Sequence, residues 1–163
     1  MARRPVKVER KWQPDPVYNS IAVSRFINNL MKDGKKSKAQ KIFYSAMDYI
    51  KEKTGQDPFK MFQQALKNVA PVLEVWPRRV AGATYLVPRV VRAERRFSKA
   101  VKWIIESARN KKGKPMYIKL AEEIILAANN EGEAVRKKNE MHKLAELNRA
   151  FAHFAWWGRK KNK

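Results

Sequence analysis

The sequence predicts a mainly α-helical fold: a six-helix domain with a protruding two-stranded β-hairpin between helices 3 and 4 and an extended basic N-terminal arm. Three observations carry this. Apolar residues recur at i, i+3, i+4 and i+7 in six separate stretches, the signature of helices with one buried face. The pattern changes once, at 72–91, where the chain carries six Val around a central Ala81-Gly82. The first eighteen residues combine Pro5, Pro14 and Pro16 with Arg3, Arg4, Lys7, Arg10 and Lys11 and have no apolar stripe.

The elements follow in order. Asn19-Ser20 starts the first helix, whose stripe is Val23, Phe26, Ile27, Leu30 and Met31, and Asp33-Gly34 closes it. Ser37 is the expected cap of the second, which buries Ile42, Phe43, Ala46, Met47 and Ile50 and ends at Gly55. Asp57-Pro58 reads as an N-cap followed by Pro at the first helical position; Phe59, Phe62, Leu66 and Val69 form the stripe and Pro71 stops it.

Residues 72–91 read as two strands and a tight turn. Pro77 and Pro88 fit a ribbon in which both strands are edges. Such a ribbon is marginal alone, so its base must pack on the helices while its tip projects. A fourth helix near 94–109 buries Phe97, Val101, Ile104, Ile105 and Ala108. A fifth covers about 116–128, with Tyr117, Leu120, Ala121, Ile124 and Ile125 inward. The last covers about Glu133 to Ala155, with Met141, Leu144, Ala145, Phe151 and Ala155 inward. The organisation expected is an arm at 1–18, one helical domain at 19–155, and a basic tail at 156–163.

Charge decides the partner class. Thirty-seven Lys and Arg against fifteen Asp and Glu give a formal charge of +22. A small domain needs a net charge of only about 2–8 for solubility. The excess calls for a polyanion, and the basic residues recur on nearly every segment, so nucleic acid is the expected ligand. The apolar content of 44%, with five Trp, five Tyr and seven Phe, separates the chain from a disordered basic tail.

Several classes are excluded. Cys is absent, which removes disulfides, thiolate metal sites and Cys nucleophiles. His142 and His153 are eleven residues apart, so on one helix they lie about 16 Å apart and cannot share a metal. Asp33-Gly34-Lys35-Lys36-Ser37 is no phosphate loop, since Asn29 stands where that motif needs Gly. Glu122, Glu123, Glu140 and Glu146 read as ordinary exposed helix residues. The first residues lack the apolar core of a signal peptide, and no window approaches eighteen uninterrupted apolar residues. The expectation is a cytoplasmic protein, not an enzyme, with no cofactor, metal, membrane or small-molecule substrate.

The candidate nucleic-acid contacts are the basic connections. Lys35, Lys36, Lys38 and Lys41, with Lys32, surround the junction of the first two helices, where free helix N–H groups favour phosphate. Arg78 and Arg79 precede the ribbon turn. Arg89, Arg92, Arg95, Arg96, Lys99 and Lys102 run from the returning strand into the fourth helix. Arg109, Lys111, Lys112 and Lys114 form another group. Trp76 and Tyr85 suit either stacking on exposed bases or packing at the ribbon base; packing is favoured for Trp76, and Tyr85 is open between the two. Phe154, Trp156 and Trp157 stand between the same two roles.

Five long blocks then match a known family in order: DPVYNSIAVSRFINNLMKDGKKSKA (15–39), TGQDPFKMFQQALKNVAPVLEV (54–75), RRVAGATYLVP (78–88), ESARNKKGKPM (106–116) and LAEEIILAANNEGEAVRKKNEMHKLAELNRAFAHF (120–154). Over residues 10–157 the chain resembles the bacterial-type seventh protein of the small ribosomal subunit. The resemblance implies a structural component of that subunit that binds the 3′ major (head) domain of the rRNA and nucleates head assembly. It implies a place near exit-site tRNA and the mRNA path, with the ninth and eleventh small-subunit proteins as neighbours, and in some members repression of the parent operon. It implies rRNA contacts from Arg3, Arg4, Arg10, Lys11, Lys35, Lys36, Lys38, Lys41, Arg78, Arg79, Arg92, Arg95, Arg96, Lys111, Lys112, Lys114 and Met116. The hairpin tip facing exit-site tRNA would be Val80, Ala81, Gly82, Ala83, Thr84 and Tyr85.

The chain departs from the family pattern at four places. Ala81 replaces a turn Gly, Trp76-Pro77 replaces Arg-Ser, Arg89 replaces an apolar residue, and the end reads Phe154-Ala155-Trp156-Trp157. On binding physics alone the alternative is an architectural DNA-binding protein with a β-ribbon arm. Because the ribbon is read as an appendage, deleting residues 77–85 should leave the helices folded. Far-UV circular dichroism and the cooperativity of thermal unfolding test this, and global melting of the shortened protein would make the ribbon part of the core.

Overall fold

The computed structural model describes residues 12–155. The expected contacts from Arg3, Arg4, Arg10 and Lys11 and the tail aromatics Trp156 and Trp157 lie outside the described residues. Six α-helices, one antiparallel hairpin and a 3-10 helix occur in the order α1 (Ile21–Leu30), α2 (Lys36–Thr54), α3 (Pro58–Val69), β1 (Leu73–Val80), β2 (Ala83–Val90), α4 (Ala93–Asn110), α5 (Met116–Ala128), α6 (Glu133–Leu147) and the 3-10 helix Arg149–Ala155. The chain divides into two compact units between residues 41 and 42.

In the first unit Asp15 is buried, and its Oδ2 accepts the N–H groups of Val17 and Tyr18 at 3.2 Å each. Its own N–H donates to the Ser20 carbonyl at 3.2 Å, so this short loop is closed on both sides before α1 begins. Ser20 is the N-cap of α1 by backbone geometry, but its hydroxyl makes no capping bond. Val23, Phe26, Ile27 and Leu30 are the buried face, as the periodicity predicts. Asp33 and Gly34 both adopt positive φ and reverse the chain. Ser37 is not a cap: α2 already starts at Lys36.

In the second unit the core is built from helical stripes. Phe43, Ala46, Met47 and Ile50 of α2, Phe62, Ala65 and Val69 of α3, Val101, Ile104, Ile105 and Ala108 of α4, and Leu120, Ala121, Ile124 and Ala127 of α5 are buried. Phe43 and Phe62 meet edge to face at 5.4 Å, the preferred geometry for aromatic quadrupoles. α3, α4 and α5 pack on one another, and each buries alanines, Ala65, Ala100 and Ala108, and Ala121 and Ala127 in turn. Asp57 caps α3 as expected, accepting the Phe59 N–H at 2.9 Å, with Pro58 at the first position.

Polar side chains close two further helix ends. Asn68 of α3 donates through Nδ2 to the carbonyls of Ala127 at 3.0 Å and Ala128 at 2.8 Å, satisfying the end of α5. Glu123 of α5 is fully buried, against the expectation of an ordinary exposed residue. Its Oε1 accepts the Ala134 N–H at 3.0 Å and so caps α6 from outside that helix, where the helix dipole favours an anion. Lys111 Nζ reaches Oε2 at 2.7 Å and neutralises it. Gly132 makes the close approach possible: its φ is +90° with ψ 170°, and a Cβ there would meet Leu126 Cβ at 3.1 Å and Glu123 Oε1 at 3.2 Å.

The hairpin pairs Val80 with Ala83 and Glu74 with Arg89 across a two-residue turn. Ala81 and Gly82 take φ of +48° and +89°, the sense that matches the right-handed twist of the strands. Ala81 is thus held in a conformation that costs an L-residue free energy. The ribbon base packs on α6. His142 of α6 accepts the Val72 N–H at Nε2, 3.0 Å away. Burial, with help from the charges of Lys138 and Arg96, holds this imidazole below its ordinary pKa, so it stays a neutral acceptor.

One element differs from expectation. The helix read as Glu133–Ala155 is two pieces, broken at Asn148. Both the backbone N–H and the side-chain Nδ2 of Asn148 donate to the Leu144 carbonyl, at 3.2 and 2.8 Å. Asn competes for backbone partners in this way and ends helices. Leu144, expected inward, is exposed. The redirected 3-10 segment sets Phe151 and Phe154 against Tyr85 of β2, with ring centroids 5.0 and 5.2 Å away.

Gly132→Ala should destabilise the protein by roughly 2–3 kcal/mol, from backbone strain and the clash beside Glu123. Urea unfolding measures this, and a change within 0.5 kcal/mol (about the level of a neutral surface substitution) would remove the claim that the capping loop needs glycine.

Candidate nucleic-acid interface

The hairpin and the start of α4 meet at one carboxylate. Glu74 faces inward on β1 and its side chain is 1% exposed. Five donor atoms surround it. Oε1 accepts from Trp76 Nε1 at 3.0 Å, Arg89 Nε at 2.8 Å and Arg89 Nη2 at 2.8 Å. Oε2 accepts from Arg95 Nε at 3.0 Å and Lys99 Nζ at 2.8 Å. Burial by itself raises the pKa of this carboxyl, but hydrogen bonds from Lys99 and Arg89 and the charges of Lys99 and Arg95 outweigh it and bring it to about 2. One anion holds three cations, so the cluster keeps a positive excess.

Trp76 is not core, contrary to expectation: it is 41% exposed. Two guanidinium groups lie over its ring, with Arg89 Cζ at 3.9 Å and Arg95 Cζ at 4.9 Å from the centroid. The indole gives both cations a flat surface to stack on; Trp76 shares the strand face of Glu74 and donates its Nε1–H to that carboxylate, with the ring left partly open to solvent. Tyr85, open between two roles in the sequence, packs on Phe151 and Phe154.

The other predicted contacts divide by what their charge already does. In the first unit Lys35, Lys36 and Lys38, with Lys41, are exposed around the start of α2. In the second, Arg79 and Arg92 are exposed, and neither forms an ion pair among the described residues. Arg78 donates to the Phe154 carbonyl, which ties the ribbon to the 3-10 helix. Arg96 is half-buried, and its Nε finds no hydrogen-bond partner among the described residues. Lys111 is committed to Glu123 and Lys114 to Glu122 at 2.5 Å; hydrogen bonding from Lys114 lowers the pKa of Glu122. Lys112 stays exposed, and Met116 is half-buried at the start of α5. At the tip, Ala81, Gly82, Ala83 and Thr84 are exposed and Val80 half-buried.

Glu74 was not among the residues singled out from sequence. A signal for it existed: a two-residue turn at Ala81-Gly82 puts Glu74 directly opposite Arg89, and opposite charges at paired positions stabilise a ribbon. Among the described residues no group of three or more His, Cys, Asp or Glu is placed to hold a metal ion. No helix among them is long and apolar enough to cross a membrane.

This arrangement, a helical body with cationic connections and a basic ribbon, agrees with the comparisons. The family model for ribosomal protein S7p/S5e matches residues 2–149. The chain belongs to the ribosomal protein S7 family. It is 58% identical over 156 residues to the small ribosomal subunit protein uS7 of Caldanaerobacter subterraneus subsp. tengcongensis, covering 96% of this chain and 100% of that protein. The protein of the same name from Pseudothermotoga lettingae is 55% identical over 156 residues, again covering 96% of this chain and all of the relative. That of Thermotoga maritima is 56% identical over 154 residues, covering 94% and 99%. As an S7 family member the chain is a structural protein of the small ribosomal subunit, part of a ribonucleoprotein with rRNA, and not an enzyme. Its place is the ribosome, in the cytoplasm.

The lowered pKa of Glu74 predicts an acid dependence. The folded-state value lies below the unfolded one, so the stabilisation is complete above the ordinary carboxylate pKa. It is lost as pH falls from about 4.5 toward 2. The loss should be on the order of 2–3 kcal/mol. Urea midpoints measured across that range should fall more steeply for the natural protein than for Glu74→Gln, and parallel curves would show that Glu74 does not titrate this way.

Proposed function

We propose that the chain binds rRNA of the 3′ major domain directly and helps nucleate assembly of the subunit head. The exposed lysines around the start of α2, the hairpin arginines and the arginines at the start of α4 would contact separate stretches of backbone. Phosphate contacts position the protein, and RNA shape more than base sequence selects the site. The observation that carries this reading is the distribution of charge: +22 in total, with exposed cations at the start of α2 and again at Arg79, Arg92 and Lys112. A single solvated face would not need cations on so many connections. The reading extends to a hairpin tip (Val80 to Tyr85) near exit-site tRNA and the mRNA path, to the ninth and eleventh small-subunit proteins as neighbours, and to repression of the parent operon through its mRNA.

The first experiment asks which RNA stays bound to the protein after a salt wash; recovery of small-subunit rRNA supports the reading, and recovery of duplex DNA in its place defeats it. A second addresses one cluster. Replacing Lys35, Lys36 and Lys38 together by Ala should weaken binding to a 3′ major domain transcript and lower the slope of log affinity against log salt by roughly 2–3. An unchanged slope would remove these lysines from the contact surface.

A further inference from the structure

Beside the Glu74 cluster lies an open cleft of about 630 Å³, walled by Arg89, Val90, Arg92 and Arg95 on one side and by Ala152 and Ala155 of the 3-10 helix on the other. Two of its cations are fixed in place. Arg89 spends Nε and one terminal nitrogen on Glu74, and Arg95 spends Nε. A guanidinium carries five N–H donors, so both keep donors for a ligand. Their planes are further restrained by stacking on Trp76. Arg92 is exposed and in no ion pair among the described residues.

We propose that Glu74 is a positioning residue for RNA binding: it holds Arg89 and Arg95 along the wall of this cleft, which receives a phosphate of the RNA backbone together with Arg92. The inference rests on the rRNA-binding reading and deepens it. Arginine forks match phosphate oxygens two bonds at a time, and a fork already locked loses little freedom on binding. Three arginines lining one cleft, against a single carboxylate already neutralised, make a doubly bonded anion the complementary ligand. The small side chains of Ala152 and Ala155 leave room for a polymer to pass. An RNA backbone suits this better than an acidic peptide because the whole chain is cationic and the family assembles with rRNA.

The role has a signature of opposite sign to simple charge attraction. Glu74→Gln adds one unit of positive charge, so polyelectrolyte attraction alone predicts equal or tighter binding to any RNA. Positioning predicts the reverse for the specific ligand. The probes are a 3′ major domain transcript and an unrelated RNA duplex, titrated with the full-length protein at one fixed salt concentration. Glu74→Gln should bind the transcript about tenfold more weakly while binding the duplex at least as well as the natural protein. Equal or tighter binding to the transcript overturns the proposal.

Arg92→Ala removes none of the side chains that pair with Glu74 and guards against a folding defect in the first variant. It too should cost about tenfold on the transcript, and the double variant should lose less than the product of the two. Fully multiplicative losses, or no loss with Arg92→Ala, overturn the shared phosphate. Poly-glutamate should displace the transcript from the natural protein and from Arg92→Ala alike. Selective displacement through Arg92 would assign the cleft to an acidic protein instead. A natural protein with no preference for the transcript over the duplex defeats the rRNA reading itself, a result distinct from the comparison of variants.

Discussion

A chain with so large a cationic excess folds only if its few acids are placed where they neutralise the most, and the Glu74 carboxylate is the clearest case. It binds Arg89 from the opposite strand and Arg95 and Lys99 from successive turns of α4. It thereby fastens a ribbon that would be marginal alone to a helix that is stable. Isolated buried ions are costly; here five donor contacts offset the desolvation. Glu123 applies the same economy elsewhere, neutralising Lys111 while ending the unsatisfied N-terminus of α6. The internal anions thus decide which cations belong to the fold and which remain for a partner.

That sorting changes how the basic residues are understood. Lys111, Lys114 and Arg95 look in sequence like the same kind of residue as Lys112 and Arg92. In the folded protein the first three hold carboxylates of their own chain, and the other two do not. Trp76 and Arg89, on facing strands, turn out to be one local solution. The indole of one strand is stacked on the arginine of the other, so an aromatic ring and a cation join the cluster from opposite sides of the ribbon.

The periodic parts of the fold were legible in the sequence. Helical stripes placed α1 through α5 and most of their buried residues, because a 3.6-residue repeat of apolar side chains has few other solutions; Ile42, Phe59, Leu66, Phe97, Tyr117 and Ile125, at the edges of the stripes, are only half-buried. The Asp57-Pro58 cap and the Ala81-Gly82 turn were legible because each uses a residue with a narrow conformational role. What escaped depended on groups distant in sequence. The break at Asn148 reflects one side chain competing for one carbonyl, which leaves no periodic trace. Trp76 was placed in the core because a large ring favours burial, yet on the face it shares with Glu74 it covers the arginines that hold that carboxylate and stays partly exposed. Glu123 looked exposed because nothing local announces that Gly132 will bring the start of α6 onto it. Of the candidate interface, the location of the cations was readable, but their pairing was not, since pairing is a property of the tertiary structure.

The contact between the ribbon and the 3-10 helix has a consequence for biosynthesis. Arg78 and the Phe154 carbonyl that it grips are 76 residues apart, and Tyr85 meets Phe151 and Phe154 across a similar span. At about 5–20 residues per second, roughly 4–15 s pass between translation of the two halves of this latch. During that interval the nascent ribbon lacks its aromatic clasp, and Tyr85 is left open to the solvent or to a chaperone until the later segment emerges.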